Sequence, residues 1–544
     1  MSRPALFSSG RLREWFILAI VWVIAFDVAF VWQRVAGAHV SEFGGHPDEP
    51  AHYITGLMVR DYIAAGFPGN PIAYATNYSR HYPEVALGAW PPVFDVVQAA
   101  WTLPFGVRPM AMMLLMCALA GILATLLFRA AHEEFGPRVA AAGTLVFVCL
   151  PLVREYYSMI MAETLSAIFM FAAALSFGQF LDNHRPRHAL WFGVLAGLAM
   201  MTQGTGLAVV VLLPIALILA GKLRLLARPG LWGGVALAAL IAGPWTWHFR
   251  HQAAARAGWA GATPSRHFAR EAFPYYLGKL GFAVGLILAI LLCVGILARL
   301  ARPTEHRGRW AALAGLLVGV VLFQCIVPFP LEERHLLPAI PAAVMFICAG
   351  AIAVGQWFAN RRKQNATCTA ASLAIVLLVL GFAGVELSVR LLKTAPSKHW
   401  SGFGKLADDL VTEDPIGKRA ILVSSDATGE GIFIAEIAMR EQRPLHIIKR
   451  ASKELATSDR DGSNLRRRFE GEDDVANWFA TAGVDYVIVD ESMPEQKRTE
   501  PHDQLIRTVD NHLERFFPMT KSTIQREGQE NPEPITLYRV KHVD

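Results

Sequence analysis

The chain has 544 residues, of which 53% are apolar and 18% charged, and it carries a formal net charge of +6. That balance argues against a string of ordinary soluble domains, and it fits a polytopic membrane protein over at least the first 390 residues. The excess positive charge sits mostly in short connections between apolar runs, so no nucleic-acid partner follows from it.

Eleven apolar runs read as helical spans: roughly 15–37, 109–130, 139–153, 164–181, 189–203, 205–221, 231–248, 277–298, 310–327, 336–358 and 367–389. The third, fifth and sixth are short for a hydrocarbon core of about 30 Å. Lys and Arg set the orientation. Arg3, Arg11 and Arg13 precede the first run, and Arg185/Arg187, Lys222/Arg224/Arg228, Arg299/Arg302/Arg307/Arg309 and Arg361/Arg362/Lys363 fill every second connection. The positive-inside rule makes those segments and the N-terminus cytoplasmic, and it puts loop 38–108 and everything after about residue 390 outside. The first run keeps Trp and charged flanks and lacks a small-residue cleavage site, so it reads as an uncleaved anchor in the cell's inner membrane. Cys117, Cys149, Cys293, Cys325, Cys348 and Cys368 all fall in or beside the runs, which implies neither a disulfide framework nor a zinc site.

In chain order, Asp27 is the first costly group. A carboxylate in an apolar run is expected to face protein or water, here as a bundle-facing hydrogen-bond partner. Loop 38–108 follows, far longer than a simple connection. It opens with Gly45-His46-Pro47-Asp48-Glu49-Pro50-Ala51-His52-Tyr53. Pro50 suits a first helical turn and Asp48 the cap of a helix running to about Ala65, with Asp48 and Glu49 as anions at its positive end. The competing structural reading is a plain cap with a solvated acid. Gly66 to Asn77 reads as turns. His81 through Trp90-Pro91-Pro92 to Gly106 is apolar, aromatic and broken by proline, which suits the membrane interface better than a span.

Arg154-Glu155 through Glu163 joins the third and fourth runs on the outer side. Two acids and an arginine at that depth suggest a site, against an ion pair closing two helix ends. Gly197 to Gly206 allows a tight hairpin, and Gly243-Pro244-Trp245-Thr246-Trp247-His248 reads as an interface anchor. Arg250, Arg256, Arg266 and Arg270 in loop 249–275 suit phosphate capture or an anionic lipid surface. Pro328 to Pro338 is a short outer turn carrying Glu333-Arg334-His335, in which Arg334 offers a fork to phosphate or simply pairs with Glu333. From about Pro396 the composition turns charged and globular. Strands at 420–423, 486–489 and 536–540 and helices at 431–440 and 475–483 give a C-terminal soluble α/β domain, 396–544. The turn Asp426 to Gly431 lacks a nucleotide-binding pattern.

An exterior acid beside a basic pocket suits transfer from a lipid phosphate. The leaving phosphate is already a stable anion, so the chemistry needs one base at the acceptor hydroxyl and positive charge on the phosphate. Asp48 is the candidate base. Arg334, with His335 or a divalent cation held by carboxylates, is the candidate for the phosphate. Glu49-x-x-His52 has metal-ligand spacing but no second copy.

At this point the chain resembles the membrane glycosyltransferases of the GT-C fold, in the glycosyltransferase family 39 branch of protein mannosyltransferases and aminoarabinose transferases. The matching features, in the family's order over residues 1–390, begin with Pro47-Asp48-Glu49 followed by Tyr53, and Trp90-Pro91-Pro92. They continue with the Glu163 helix start, the Gly193–Gly206 pair of short runs, Gly243-Pro244-Trp245 and Glu333-Arg334-His335-Leu336-Leu337-Pro338. The resemblance implies an α-helical polytopic domain, a polyprenyl-phosphate sugar donor, inversion, an outward-facing site and Asp48 as base. It also implies Glu49 and Glu163 as supporting acids and Arg334 as a phosphate ligand. His52, Tyr53, Arg154 and His335 complete the expected binding set. The chain departs from the family where His335 replaces a usual Tyr and where Gln203 stands near a frequent Lys. The function read here is transfer of a hexosyl or pentosyl group to a glycan, lipid or protein acceptor. The rivals are a transporter or lipid flippase, which would show two related halves, and a non-catalytic sugar-lipid binding subunit.

Overall fold

The computed structural model describes residues 9–86, 88–251, 265–301, 305–361, 366–391, 400–413, 415, 417–457, 466–526, 529 and 531–541. Arg3, Arg256, Arg302, Arg362, Lys363 and Pro396 lie outside them, as do the side chains of Arg11 and Cys368.

Among the described residues, fifteen α-helices precede the tail. They are α1 (Ser9–Val35), α2 (Asp48–Ala64), α3 (Pro71–His81), α4 (Val93–Phe105), α5 (Pro109–Phe135), α6 (Pro137–Cys149), α7 (Pro151–Tyr157) and α8 (Glu163–Asn183). Then come α9 (Pro186–Met200), α10 (Ala208–Ala220), α11 (Pro229–His248), α12 (Arg266–Leu300), α13 (Arg307–Ile326), α14 (Ile340–Arg361) and α15 (Ala366–Leu391). Among the described residues, seven helices are long and apolar enough to cross a membrane, or eight if the bent pair α6–α7 counts as one span. The bend, 62°, falls at Leu150-Pro151, where proline cannot continue the hydrogen-bond ladder. The remaining three expected spans are the 15-residue α9, the 13-residue α10 and the 20-residue α11. They are packed as the others are: α9 and α11 cross so closely that a Cβ on Gly193 would lie 2.1 Å from the Gly234 carbonyl oxygen. Within α12, Gly285 takes a φ of 73° and breaks the helix, with a missing Cβ that would sit 2.6 Å from Val385.

Asp27 is exposed on α1, so it is not the bundle-facing partner expected of it. The same outward face carries Ile20, Val23, Ile24 and Val31 at helical spacing, and the acid falls in register with them.

Loop 38–108 is mostly helical. The turn-rich stretch Gly66 to Asn77 contains the start of α3, where the Asn70 side chain accepts from the N–H groups of Ile72 and Ala73 and Pro71 fills the first position. The proline-broken second half folds as α4.

The tail holds helices α16 (Phe403–Glu413), α17 (Ala427–Arg440), α18 (Glu472–Ala482) and α19 (Glu500–Asn511). Its strands are β1 (Ala420–Ser424), β2 (Ile447–Arg450), β3 (Ala456–Thr457), β4 (Arg466–Arg467), β5 (Tyr486–Val489), β6 (Phe516–Ile524) and β7 (Glu533–Val540). Five of them form a mixed sheet, β2-β1-β5-β7-β6, parallel through β2-β1-β5 and antiparallel beyond, while β3 and β4 pair separately. Alternation along β1 sends Ile421 and Val423 toward α16 and α17, and Leu422 toward α18 and α19. The tail rests on loop 38–108. Glu42 accepts from the backbone N–H groups of Gly402, Phe403 and Gly404 at the start of α16, Arg443 forks onto Asp61 at 2.7 and 3.2 Å, and Arg450 bridges Glu84 and Glu430.

Candidate functional site

The site is built where α2, α8 and the turn before α14 meet. Asp48 opens α2, but it does not cap it by side chain: the residue before the helix is Pro47, and no side-chain cap bond forms. The Asp48 N–H instead donates to His46 Nδ1 at 3.1 Å, and its carboxylate is left to face Arg334. Arg334 Nη1 donates to Asp48 Oδ2 at 2.9 Å and lies 3.5 Å from Glu163 Oε1. Glu332 closes on the same guanidinium and stands 3.8 Å from His46 Nε2. Arg334 therefore pairs with three acids, and the expected Glu333 partner goes to Lys279 at 3.0 Å.

Glu163 is the first residue of α8, an acid at the positive end of a helix dipole, and it is 1% exposed. Gln203, from the turn between α9 and α10, donates to Glu163 Oε1 at 2.8 Å, while Oε2 is buried without a partner among the described residues. Thus Gln203, near which the resemblance gives a frequent Lys, holds the acid through an amide. For Asp48, burial alone would push the carboxyl up. The Arg334 guanidinium, helped by His46 and His52, outweighs that and holds it below the ordinary carboxylate value. Asp48 is ionised at neutral pH, partly exposed and held by a cation.

The other expected residues divide by geometry. Glu49 is fully buried and turned away from Arg334. Its Oε1 accepts from Ile160 N at 2.9 Å and its Oε2 from Gly45 N at 3.0 Å, tying the loop to the segment just ahead of α8. His52 stacks on Trp90 at 4.2 Å, close enough to act on the Asp48 charge. Tyr53 is buried against Phe43, and its hydroxyl donates to Val107 O at 2.5 Å. Arg154 is not part of the cluster. It pairs with Glu386 on α15 at 2.8 Å and covers the Trp32 ring at 3.8 Å, so it closes helix ends rather than a binding pocket. His335 points into the bundle, where its Nδ1 meets Tyr276 Oη at 3.1 Å. Among the described basic residues of loop 249–275, Arg250 packs over Trp247 at 4.4 Å, and Arg266 and Arg270 are exposed.

Three acids surround Arg334, but the guanidinium fills the space between them. Among the described residues, no set of three His, Cys, Asp or Glu side chains is arranged to hold a metal ion. In this arrangement Arg334 is the cation that the three acids face.

Further along α2 lies an apolar cavity of ≈ 590 Å³, lined by Thr55, Met58, Trp90, Asp95, Trp245 and Phe249 among others. Thr55 is seven residues, or roughly 10 Å, from Asp48, and Trp90 is shared with the His52 stack. Asp95 is 4% exposed, its Oδ1 has no hydrogen-bond partner among the described residues, and burial raises its carboxyl well above the ordinary carboxylate range. Sequence reasoning passed over Asp95, Glu332 and His46, and it noted Gln203 only as a departure from the family pattern. Glu332 and His46 stood inside quoted motifs; a lone Asp in an apolar stretch was the signal for Asp95.

Residues 89–248 match the family model of dolichyl-phosphate-mannose-protein mannosyltransferase. No curated protein matches the chain. Among solved structures the chain is similar to ArnT from Cupriavidus metallidurans bound to undecaprenyl phosphate, with a TM-score of 0.59 at 14% identity over 95% of this chain and 97% of that one. The apo state of the same protein gives 0.59 at 14% identity over 96% and 98%. The oligosaccharyltransferase of Archaeoglobus fulgidus, tethered to an acceptor peptide containing the NVT sequon, gives 0.51 at 12% identity over 87% and 69%. At such identities the likeness is one of fold, and it runs through the apolar helices and the sheet-containing tail together. The chain has the GT-C fold of these membrane glycosyltransferases.

Proposed function

We propose that this chain is a membrane glycosyltransferase that moves a sugar from a polyprenyl-phosphate donor to an acceptor hydroxyl, with inversion at the anomeric carbon. The observation that carries the reading is the Asp48–Arg334 contact: an ionised, partly solvent-open carboxylate beside a mostly buried guanidinium at one end of the bundle. The undecaprenyl phosphate of the similar ArnT structure and the dolichyl phosphate in the matched family's description support the donor class. The distribution of Lys and Arg supports placing this end on the outer face.

In the reaction, the acceptor oxygen bonds to the anomeric carbon as the carbon–oxygen bond to phosphate breaks. The hydroxyl proton passes to Asp48, and the electron pair leaves with the phosphate. No protein acid has to protonate that leaving group; Arg334 stabilises its charge. In the free protein Arg334 is already occupied by Asp48, Glu163 and Glu332. A donor phosphate that takes the Asp48 position on Nη1 therefore does two things: it gains the guanidinium, and it leaves Asp48 without the cation that suppresses its basicity. The apolar cavity along α2 accommodates a lipid portion of donor or acceptor, and the tail above loop 38–108 is placed to bear on acceptor choice.

The test is glycan analysis by mass spectrometry of cell envelopes with the chain present, deleted, and deleted but complemented. Loss of one sugar substituent on deletion and its return on complementation is the expected result. An unchanged glycan profile in all three, with the sugar-lipid pool relocated across the membrane, would favour the flippase reading instead.

A further inference from the structure

At the end of the bundle opposite Asp48, α5, α8, α9 and the first turn of α13 enclose a cavity of ≈ 390 Å³. Its charged residues cluster toward the helix ends. Arg309 is buried and fixed, its two amino groups donating to Glu133 at 2.7 Å and Glu134 at 3.0 Å. Arg129 and Arg187 are exposed and differently placed. Their Nε groups face Glu133 at 3.8 Å and His188 Nε2 at 3.2 Å, and among the described residues their terminal amino groups have no partner. One to two turns further into the bundle the same helices contribute Leu126, Leu175 and Leu195 to the wall. Trp191, 60% exposed, stands between the two zones, with an apolar ring and one N–H donor.

We propose that this cavity binds the phosphate headgroup of an anionic membrane lipid, with Arg129 and Arg187 on the phosphate and an acyl chain along the leucines. Charge complementarity supplies the first half of the argument. Two guanidinium forks with free amino groups converge on a cleft whose third arginine is already neutralised, so the cleft carries net positive charge facing outward. The apolar wall supplies the second half, since a soluble phosphate would gain nothing from Leu126, Leu175 and Leu195. The cavity is separate from the transfer site. The length of α8, 21 residues or roughly 30 Å, lies between Glu163 and Asn183.

The experiment compares the thermal stability of the purified full chain in nanodiscs of phosphatidylglycerol and of phosphatidylcholine, for wild type and for Arg129→Gln/Arg187→Gln. Native mass spectrometry counts bound phosphatidylglycerol in parallel, and inorganic phosphate is added to the phosphatidylcholine sample as a third arm. The expected result is stabilisation of wild type by phosphatidylglycerol, with roughly thirty-fold weaker retention of the lipid in the double variant. Equal retention by wild type and variant would overturn the proposal. So would stabilisation by inorganic phosphate to the same extent, which would make the ligand a soluble anion. Should the double variant not fold, the two single variants decide the same question by retention alone.

Discussion

At the scale of single residues, the account turns on which cation holds which acid. Arg334 depresses the Asp48 carboxyl in the free protein, so Asp48 is charged above its ordinary value of about 3.9 and for some distance below it. The sign for stability follows: the unfolded chain protonates Asp48 first, so the pair's contribution is present above about pH 3.9 and is lost as pH falls through the folded value. For activity, the acid limb of kcat/KM reports the free protein and should lie below the ordinary aspartate value. The acid limb of kcat reports the donor complex and should lie higher, because phosphate has replaced the carboxylate on Arg334. Coincident limbs would show that Asp48 keeps its cation throughout. Arg334→Lys keeps the charge but loses the fork, and it should retain the fold while lowering kcat by about ten-fold or more. Asp48, Glu163 and Arg334 were legible because each sits at a helix start or turn beside apolar runs. For Arg154 the sequence left a site and an ion pair both open; an ion pair forms, but its partner, Glu386, comes from a helix distant in sequence that no local pattern announces.

At the scale of elements, spans and the acidic helix were legible from apolar run length and proline placement, and the failures have local causes. Helix α3 was read as turns because Asn70 and Pro71 are turn formers, yet the same two residues make a helix cap and first turn. Strand β6 was missed since half its residues are exposed and Pro518 interrupts it. Both are tolerated because it is an edge strand with a register shift between Pro518 and Thr520. Glu49 joins two elements that the sequence separates, the loop turn at Gly45 and Ile160 ahead of α8. Replacing Glu49 with Gln removes the charge from both bonds and puts an amide N–H₂ against one donor. The expected cost is about 1–3 kcal/mol of stability, seen as a lower melting temperature. The separation between the two acid limbs should persist in this variant; its loss would move Glu49 from a positioning role into the reacting set.

At the scale of the whole molecule, the tail is fastened to the loop that carries Asp48. Three backbone N–H groups at the start of α16 on Glu42, the Arg443 fork on Asp61 and the Glu84–Arg450–Glu430 bridge all cross between the two parts. Composition and strand–helix alternation marked the tail as α/β, but not where it docks, since these pairs are matched in space and not in sequence. An Asp61→Ala/Arg443→Ala double-mutant cycle should give a coupling of about 1–3 kcal/mol, with faster amide exchange confined to α2, α3 and α17. Purely additive losses would mean that the fork does not fasten the tail.

The most direct measurement is a single-turnover assay of Asp48→Asn in nanodiscs charged with a panel of polyprenyl-phosphate sugars, reading donor binding and release of polyprenyl phosphate on the same sample. The expected result is donor retention at least equal to wild type, because Arg334 has lost a competitor, with transfer slowed by about 10²–10⁴-fold. Transfer at the wild-type rate by the Asn variant would contradict the assignment of Asp48 as the base.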